Sequence, residues 1–521
     1  MSARQHVTQL EVRSPDELAA LASQLAPFIS SVDLVSLKGD LGSGKTAFAK
    51  ALIAALGVHD EVTSPTYALI HEFRSDKGPI FHCDFYRMEG EDAHLVGLDD
   101  CLGAGIVIAE WLDHVRAELP ANRLNIALEG VGEARTVTFA PWGSWGATFA
   151  RFMEMRSFLS GAGWAGAICR HMRGDASSKT FSRLTRDDGA TRVLMDWPDR
   201  PDGEPVRDGK PYCKLVHLAR DGRPFVAISA YLRDEAGLAA PRVYDADLDR
   251  GFLLVEDFGD SVFQSIAGEK TELAPMYKLA VDGLLALRRA PRKREFDLPG
   301  GKEHRVADYN ADVMLDEAAL LLEWYFRLAA GFQAPPSAYE GFQAAWAPHL
   351  AWLDEQPDKR IVLRDYHSPN LILRGGHDGL ARLGVIDFQD ALWGHAAYDL
   401  VSLLQDARID IPQGLQTQLF DAYCNAAERD GGFDRDTFER TYSLLGAQRN
   451  SKILGVFARL HLRDGKSFYL PHIPRIRRYL RQNLEHPALA QLAEWYARHI
   501  FVWEGDLFSD TKEARTANLV L

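Results

Sequence analysis

The first quarter of the chain alternates between short apolar runs and amphipathic segments. Leucine and isoleucine recur at helical spacing over 18–29. The preceding residues Ser14-Pro15-Asp16-Glu17 are typical of a helix start, with a capping box and a proline in the first turn. A second helical pattern covers 47–56, and apolar runs typical of strands begin at Val32, Ile80 and Gly105. Strands that alternate with helices predict an α/β fold with a doubly wound, mostly parallel sheet.

This pattern is interrupted at 141–146. A strand-like run over 135–139 ends there, and proline, glycine and two tryptophans follow. We therefore expect a first domain over 1–148 and a second over 149–521. The connecting segment is short and aromatic rather than a long Gly/Ser tether, which predicts two domains that lie close together.

The second part of the chain has a different organisation. Over 151–258 a helical pattern is followed by short apolar runs, as expected of a small lobe with a sheet. From about 259 to 521 the pattern is mostly helical, with marked apolar stripes over 311–329 and 396–406. The sequence therefore predicts an α+β second domain with a small lobe and a large helical lobe.

Composition narrows the classes of function. The chain has 521 residues, 46% hydrophobic and 25% charged, with a net charge of −14. Residues 1–145 contain 11 Lys or Arg and 20 Asp or Glu, so this part is acidic by itself. Broad binding to a nucleic-acid backbone requires a basic face, so any RNA is expected to be held by a partner protein.

The sequence also favours a reducing compartment. Five cysteines are scattered without a C-x-x-C pair, and no apolar run reaches the length of a membrane span. The first residues lack the basic and apolar regions of a signal peptide. We expect a cytoplasmic protein without membrane contact.

An apolar run from Leu34 ends in the pattern G-x-x-x-x-G-K-T, directly before a helix. This order is typical of a phosphate-binding loop. Glycines let backbone N–H groups close on phosphate oxygens, and the helix start adds positive charge. The lysine can reach the terminal phosphates of ATP, and the threonine hydroxyl can ligate Mg²⁺. The predicted nucleotide-binding residues are Gly39, Asp40, Leu41, Gly42, Ser43, Gly44, Lys45 and Thr46.

Two acidic residues end the predicted strands that follow. In a parallel sheet the carboxyl ends of strands share one edge, which places Asp84 and Glu110 on the same edge as Lys45. A carboxylate there can hold magnesium or orient an attacking water. The alternative is an ordinary solvated acid at a strand end. Trp111 follows directly, and by residue type alone it belongs more often to a core than to a site.

Four motifs in this part resemble the TsaE (YjeE) family in order and spacing. They are the phosphate-binding loop, Ser64-Pro65-Thr66-Tyr67, the stretch from His82 to Arg87, and Glu110-Trp111. The family consists of small bacterial ATPases that support formation of threonylcarbamoyladenosine in tRNA.

The resemblance implies a role for several residues. Thr46 and Glu110 would hold magnesium, Asp84 would assist, 63–67 would sense the nucleotide, and Trp111 would lie beside it. The implied partners are the protein components of the threonylcarbamoyl transfer complex, with tRNA contacted only indirectly. The alternative is a nucleotide-gated binding module whose hydrolysis is incidental.

A second chemical motif lies in the helical part of the chain. Arg364-Asp365 is followed by Asn370 at kinase-type spacing, and a later apolar run ends in Asp387-Phe388. In phosphoryl transfer the first aspartate orients the acceptor hydroxyl, while Asn370 and Asp387 hold Mg²⁺ on the ATP phosphates. The alternative is a polar loop next to an unrelated strand-end aspartate. Asp399, at the start of the next helical pattern, either binds this loop or caps its helix.

This part resembles the aminoglycoside/choline phosphotransferase family, and within it the cell-wall amino-sugar kinases. Those enzymes phosphorylate N-acetylmuramate and N-acetylglucosamine at the anomeric hydroxyl. The resemblance implies a protein-kinase-like fold, a nucleotide-covering loop with Ser177, Ser178 and Lys179, and an adenine-facing hinge from Glu256 to Phe258. The sequence departs from the kinase pattern over 192–196, where no lysine occurs. Lys179 or Lys214 could take its place.

Taken together, the residues and resemblances predict a bifunctional enzyme that uses ATP and Mg²⁺. One part would be a tRNA-modification ATPase and the other a sugar kinase of peptidoglycan recycling. Two alternatives for the second part remain. It could phosphorylate another small alcohol, such as choline, an aminoglycoside or homoserine, or it could be a nucleotide-binding scaffold without catalysis.

Overall fold

The computed structural model describes residues 7–503 except 31–32, 59–61, 63–68, 76, 89, 91–96, 117, 131, 173–178, 200–201, 208 and 268–271. The predicted sensing loop 63–67 and the predicted nucleotide contacts Ser177 and Ser178 lie outside the described residues. By compactness the chain divides into two units. The first comprises 1–199 with 243–257, and the second comprises 200–242 with 258–521.

A seven-stranded sheet forms the start of the first unit. Its order is β1-β7-β6-β2-β5-β4-β3, and the strands are β1 (Thr8–Val12), β2 (Leu34–Lys38), β3 (Ile70–Ser75), β4 (Gly78–Asp84), β5 (Ile106–Glu110), β6 (Arg123–Glu129) and β7 (Arg135–Trp142). The four central strands pair in parallel, and antiparallel pairs lie at both edges. The predicted α/β class with a largely parallel centre is confirmed.

Among the described residues, the helices α1 (Pro15–Leu25), α2 (Lys45–Ala55) and α3 (Leu98–Leu102) accompany this sheet. Helix α1 begins as its sequence predicts, because the Ser14 hydroxyl accepts the N–H of Glu17 at 3.1 Å. The Glu17 carboxylate in turn accepts the N–H of Arg13. The leucines at helical spacing in α1 are all buried, so the predicted apolar face is confirmed.

The predicted break after 139 is a strand end followed by a tight turn. Strand β7 continues to Trp142, and helix α4 (Trp145–Gly161) starts three residues later. Gly143 turns the chain at φ 62°, where an added Cβ would lie 2.1 Å from the Asn122 side chain. The domain boundary at 148 stays a prediction.

A second sheet of five antiparallel strands belongs to the same unit. Its order is β13-β14-β10-β9-β8, with β8 (Ile168–Met172), β9 (Thr180–Thr185), β10 (Thr191–Asp196), β13 (Val243–Asp247) and β14 (Phe252–Val255). Strands β11 (Pro205–Arg207) and β12 (Lys210–Pro211) pair with each other in the second unit, where α5 (Tyr212–Leu215) and α6 (Arg223–Asp234) follow.

The two sheets of the first unit share one buried apolar cluster, which we call the shared core. It runs without interruption from Leu25 of α1 through Phe152 of α4 to Leu184 and Phe252 of the second sheet. Two polar residues of α1, Ser23 and Gln24, form hydrogen bonds to the segment at the start of the second sheet. Ser23 accepts the N–H of Cys169 at 2.9 Å, and the Gln24 amide donates to the carbonyls of 165 and 167 at 2.9 Å.

The second unit is mainly helical, as the sequence predicts. After α5 and α6, its described helices are α7 (Phe263–Ile266), α8 (Leu273–Arg289), α9 (Ala311–Ala318), α10 (Phe326–Ala330), α11 (Pro336–Asp354), α12 (Ala397–Leu404), α13 (Gln413–Asp430), α14 (Arg435–Leu462), α15 (Ile473–Leu484) and α16 (Ala490–His499). Short antiparallel pairs join β15 (Glu295–Leu298) to β16 (Lys302–Arg305), β17 (Lys359–Val362) to β20 (Leu392–His395), and β18 (Leu371–Leu373) to β19 (Leu383–Val385). Among the described residues, no helix is long and apolar enough to span a bilayer.

The predicted helical stripe over 311–329 is not one regular helix. A π-helical turn, Leu321–Tyr325, separates α9 from α10. Opposite this turn α14 presents Gly455, and a Cβ added there would lie 2.3 Å from the backbone of Leu320. The close approach of α14 requires glycine at this position.

Candidate active sites

The phosphate-binding loop follows β2 and has the backbone conformation that its glycines permit. Gly39, Gly42 and Gly44 adopt φ angles of 143°, 79° and 100°. A Cβ added at Gly39 would lie 2.2 Å from the carbonyl oxygen of Leu128, so only glycine fits at the start of the loop. Asp40 and Leu41 at the tip are exposed, whereas Ser43 is buried.

Lys45 begins α2 and folds back over the loop. Its ammonium donates to the carbonyls of Gly39 at 2.7 Å and Asp40 at 2.9 Å, and it lies 3.9 Å from the centre of the Trp111 ring. Burial lowers the pKa of Lys45, and the carboxylates of Glu110 and Asp84 oppose this shift. Trp111 therefore lies beside the loop, and it also packs, half-buried, against a buried apolar cluster.

The strand-end acids lie where the sequence predicts. Parallel pairing aligns Asp84 of β4 with Glu110 of β5. The Thr46 hydroxyl donates to Glu110 at 2.9 Å, and the other oxygen of Glu110 contacts the buried ring of His82 at 3.0 Å. These contacts bring the threonine hydroxyl and two carboxylates to one edge, as a magnesium site beside a phosphate requires.

The kinase-type motif also comes together, within the second unit. The β18–β19 pair places Leu371, which follows Asn370, opposite Val385, which precedes Asp387 by two residues. The Asn370 side chain donates to the backbone carbonyl of Asp365 at 2.9 Å. Asp387 has a φ of 58° and accepts a hydrogen bond from Gln389 at 2.8 Å. Positive φ at a non-glycine residue is strained, and such strain concentrates at functional sites.

Two buried carboxylates hold the backbone of the loop that carries Asp365, the catalytic loop (363–370). Asp399 accepts the N–H groups of Leu363 at 2.7 Å and Arg364 at 3.0 Å, and Asp406 accepts the N–H of Ser368 at 2.8 Å. Asp399 therefore binds the loop, which decides between its two predicted roles. Burial, together with the charge of Asp365, raises the pKa of Asp399 to about 7 against the effect of these N–H groups.

Two family models match the sequence. The model described as "Threonylcarbamoyl adenosine biosynthesis protein TsaE" matches residues 12–137, and the model "Phosphotransferase enzyme family" matches 169–437. The N-acetylmuramate/N-acetylglucosamine kinase of Caulobacter vibrioides is 35% identical over 356 residues, which is 66% of this chain and 95% of that protein. The chain belongs to both families. The alignment with this kinase thus covers nearly the whole length of that protein.

Relatives of the first region carry the name tRNA threonylcarbamoyladenosine biosynthesis protein TsaE. The Bacillus subtilis protein is 38% identical over 133 residues, 25% of this chain and 84% of that protein. The Treponema pallidum protein is 32% identical over 131 residues, 25% of this chain and 96% of that protein. We call residues 12–137 the TsaE region and the part from 169 onward the kinase region. The predicted fusion of an ATPase with a phosphotransferase is confirmed, and with it the use of ATP and Mg²⁺.

The residues of both regions fit these ligands. In the TsaE region the Ser43 hydroxyl is buried beside Gly39, without a hydrogen-bond partner among the described residues. A buried hydroxyl in a phosphate-binding loop can donate to a phosphate oxygen. In the kinase region Asn370 and Asp387 supply the oxygen ligands that Mg²⁺ prefers.

Sequence reasoning missed residues that support these sites from a distance. Arg135, 92 residues beyond Ser43, donates to the Ser43 carbonyl at 2.7 Å and to the Gly42 carbonyl at 3.2 Å. In the kinase region Glu317 binds both Arg364 and Lys452. Period-two spacing from Asp84 could have identified His82, but no local signal marks Arg135 or Lys452.

Of the remaining predicted nucleotide contacts, Lys179 and Glu256 belong to the first unit and Phe258 belongs to the second. Lys179 is buried, 4.6 Å from the centre of the Trp197 ring. Glu256 follows β14, half-buried. Phe258 packs against Gly384 at the start of the segment that leads to Asp387, and its ring stacks with Arg374 at 4.2 Å.

The segment 192–196, in which the sequence lacks the lysine of the kinase pattern, lies in β10. Its last residue, Asp196, forms an ion pair with Arg151 at 2.6 Å. Of the two lysines that could replace the missing one, Lys214 forms an ion pair with Asp202 and is about half exposed.

Proposed function

We propose that the protein is a bifunctional enzyme. Its kinase region transfers the terminal phosphate of ATP to the anomeric hydroxyl of N-acetylmuramate or N-acetylglucosamine, in peptidoglycan recycling. Its TsaE region hydrolyses ATP in support of threonylcarbamoyladenosine formation in tRNA. The observation that carries the kinase proposal is the pairing that brings the catalytic loop, with Asp365 and Asn370, next to the segment with Asp387. The region is similar to kinases with this name, and the alignment covers 95% of the Caulobacter protein.

The proposed roles follow from the geometry of the loop. Asp365 is half-buried, and it orients the acceptor hydroxyl and takes its proton. Burial is the largest single effect and raises its pKa, but the positive charges around it, of which Lys452 contributes most, together outweigh burial, and the pKa of Asp365 is lowered. The aspartate is therefore ionised when the acceptor binds. Asn370 and Asp387 would hold Mg²⁺, which neutralises charge on the ATP phosphates.

An anomeric hydroxyl suits this arrangement. It is more acidic than an ordinary alcohol, so a carboxylate that takes its proton late is sufficient. Most of the barrier then lies in placing the phosphoryl group and neutralising its charge. Lys179, Glu256 and Phe258 are proposed to contact the nucleotide from the small lobe and the hinge.

In the TsaE region, Gly39 to Thr46 are proposed to hold the phosphates of ATP, with Trp111 beside them. Thr46 and Glu110 would hold Mg²⁺, and Asp84 would orient the attacking water. The proposed partners are protein components of the threonylcarbamoyl transfer complex, because this region is acidic and tRNA is expected to be contacted indirectly. We place the boundary between the two functions at 148 and the protein in the cytoplasm.

The test of the kinase proposal is Asp365→Asn in the full chain. We expect turnover to fall by roughly 100-fold or more while ATP binding persists. Asp378→Asn is the matched control, because Asp378 is exposed in the loop between β18 and β19 and should leave turnover unchanged.

The position of the phosphate in the product identifies the hydroxyl group that accepts it. Phosphorus–proton coupling in the NMR spectrum of the product should identify an anomeric phosphate. A phosphate on carbon 6, or reaction with another alcohol and neither sugar, would refute the assignment.

A further inference from the structure

His82 is a polar side chain in a place without water. It lies near the end of β4 and is fully buried, at 0% exposure. Its Nε2 lies 3.0 Å from Oε1 of Glu110, the last residue of β5. Its other ring nitrogen, Nδ1, is buried without a hydrogen-bond partner in the part of the chain that the structure describes. Because a buried nitrogen without a partner costs free energy, the contact with Glu110 is the feature of His82 that requires an explanation.

The contact between His82 and Glu110 has a defined direction. The Thr46 hydroxyl donates to Oε2 of Glu110 at 2.9 Å. An ionised carboxylate has no hydrogen to donate, so Nε2 of His82 is the donor to Oε1. The two oxygens of Glu110 therefore have different neighbours. Oε1 is bound by a buried N–H, and Oε2 lies beside the residue that begins the helix after the phosphate-binding loop.

The backbone of Glu110 is fixed by the strands on both sides. Parallel pairing aligns Glu110 with Leu37 of β2 and with Asp84 of β4, and its carbonyl accepts the N–H of Phe85 at 3.1 Å. The side chain is 2% exposed. The last torsion of a glutamate has only a broad preference, so hydrogen bonds determine which oxygen faces the loop. His82 and Thr46 supply those hydrogen bonds.

A carboxylate with one oxygen already bound suits Mg²⁺ better than Ca²⁺. Mg²⁺ is small and demands nearly octahedral geometry, whereas Ca²⁺ accepts about six to eight oxygens and often takes both oxygens of one carboxylate. While His82 binds Oε1, Glu110 can offer a single oxygen to an ion beside Thr46. Hydrogen bonds to the far side of a metal-binding side chain commonly change metal affinity by about 10- to 100-fold.

We propose that His82 is a positioning residue that makes Glu110 a one-oxygen ligand, so that the TsaE region prefers Mg²⁺ over Ca²⁺ when it binds its nucleotide. His82 acts through Glu110 and is not itself a ligand. This inference rests on the proposed function of the TsaE region, in which Thr46 and Glu110 hold the ion.

The experiment measures binding of the non-hydrolysable ATP analogue AMP-PNP to the full chain in EDTA, in Mg²⁺ and in Ca²⁺. Binding to the TsaE region is the part that Lys45→Ala removes. In His82→Leu, which is similar in size but has no donor, the Mg²⁺ concentration needed to enhance binding should rise about tenfold. The Ca²⁺ concentration should change by less than about twofold, and binding in EDTA should stay the same, because the loop itself is intact.

Two further variants separate the hydrogen bond from the fold. His82→Gln can place an N–H near the position of Nε2, so it should keep the Mg²⁺ requirement within about threefold of the unaltered protein. The amide of His82→Asn reaches only the position of Nδ1, so this variant should behave like His82→Leu and can replace it if leucine prevents folding. Sugar phosphorylation by each variant checks that the remainder of the chain is folded.

Cys83→Ala is the matched control. Cys83 is the next residue of β4, is equally buried, and belongs to the apolar cluster on the opposite face of the sheet. It should leave both ion requirements unchanged. An equal change for Mg²⁺ and Ca²⁺ in His82→Leu and His82→Asn, or no change for either ion, would overturn the role of His82. Binding by the unaltered protein that depends on neither ion would instead overturn the proposed function of Thr46 and Glu110.

Discussion

Replacing Gln24 by leucine tests whether α1 joins the TsaE region to the small-lobe sheet. Gln24 is fully buried, and its amide makes three hydrogen bonds: to the carbonyls of 165 and 167, and from Arg156. Leucine has a similar volume but no polar atoms. The substitution therefore leaves the buried Ala167 carbonyl and the Arg156 guanidinium without these partners.

The expected cost is about 3 kcal/mol. A buried carbonyl left without a donor costs about 1–2 kcal/mol, and a lost hydrogen bond to a charged group costs about 1.5–3 kcal/mol. The added apolar burial of leucine offsets part of this sum. If the free energy of unfolding falls by about 2 kcal/mol for each molar of urea, the urea midpoint should fall by about 1.5 M.

The assay must follow each region by itself, since a chain of this length need not unfold in one step. Nucleotide binding to the TsaE region and sugar phosphorylation can each be measured against urea concentration. We expect both midpoints to fall together in Gln24→Leu. Gln9→Leu, which removes a 3.4 Å contact to Thr138 on an exposed strand, should change neither. Unchanged midpoints, or a lower midpoint for nucleotide binding alone, would refute the idea that α1 joins the TsaE region to the second sheet.

Two further predictions concern single regions. Lys45→Ala and Thr46→Ala should abolish nucleotide binding by the TsaE region and leave sugar phosphorylation intact, because the phosphate-binding groups are separate; a parallel loss of kinase turnover would contradict this. In the second unit, burial raises the pKa of Asp358, but Arg360 and Arg288 hold it at about 2. Its ion pairs should therefore stabilise the fold by about 2 kcal/mol above pH 4 and lose this effect as the pH falls toward 2. Urea midpoints of Asp358→Asn and the unaltered protein should converge over that range, and a constant difference would disprove the cause.

Local patterns predicted the parts of both sites that depend on neighbours in sequence. The phosphate-binding loop, the strand-end acids and the catalytic loop each follow an apolar run. In the TsaE region parallel strands bring such ends to one edge of the sheet. In the second unit the antiparallel pair β18–β19 brings the catalytic loop and Asp387 together. The shared core could not be predicted in this way. Ser23 and Gln24 are polar residues in an amphipathic helix, and such residues normally face solvent. Their burial depends on β8, more than 140 residues later, which no local pattern in α1 indicates.

The Lys45 ammonium above Trp111 should make the fluorescence of this tryptophan sensitive to a ligand in the phosphate-binding loop. The energy of an excited indole responds to a nearby charge, and the Lys45 ammonium lies 3.9 Å from the centre of this ring. A phosphate group that draws the ammonium toward itself changes the electric field at the ring, and with it the colour and intensity of the emitted light. The chain has 11 tryptophans, so the difference in emission between the unaltered protein and Trp111→Phe isolates this one signal. We expect this difference signal to change when ATP binds, so that nucleotide binding can be followed without an attached dye.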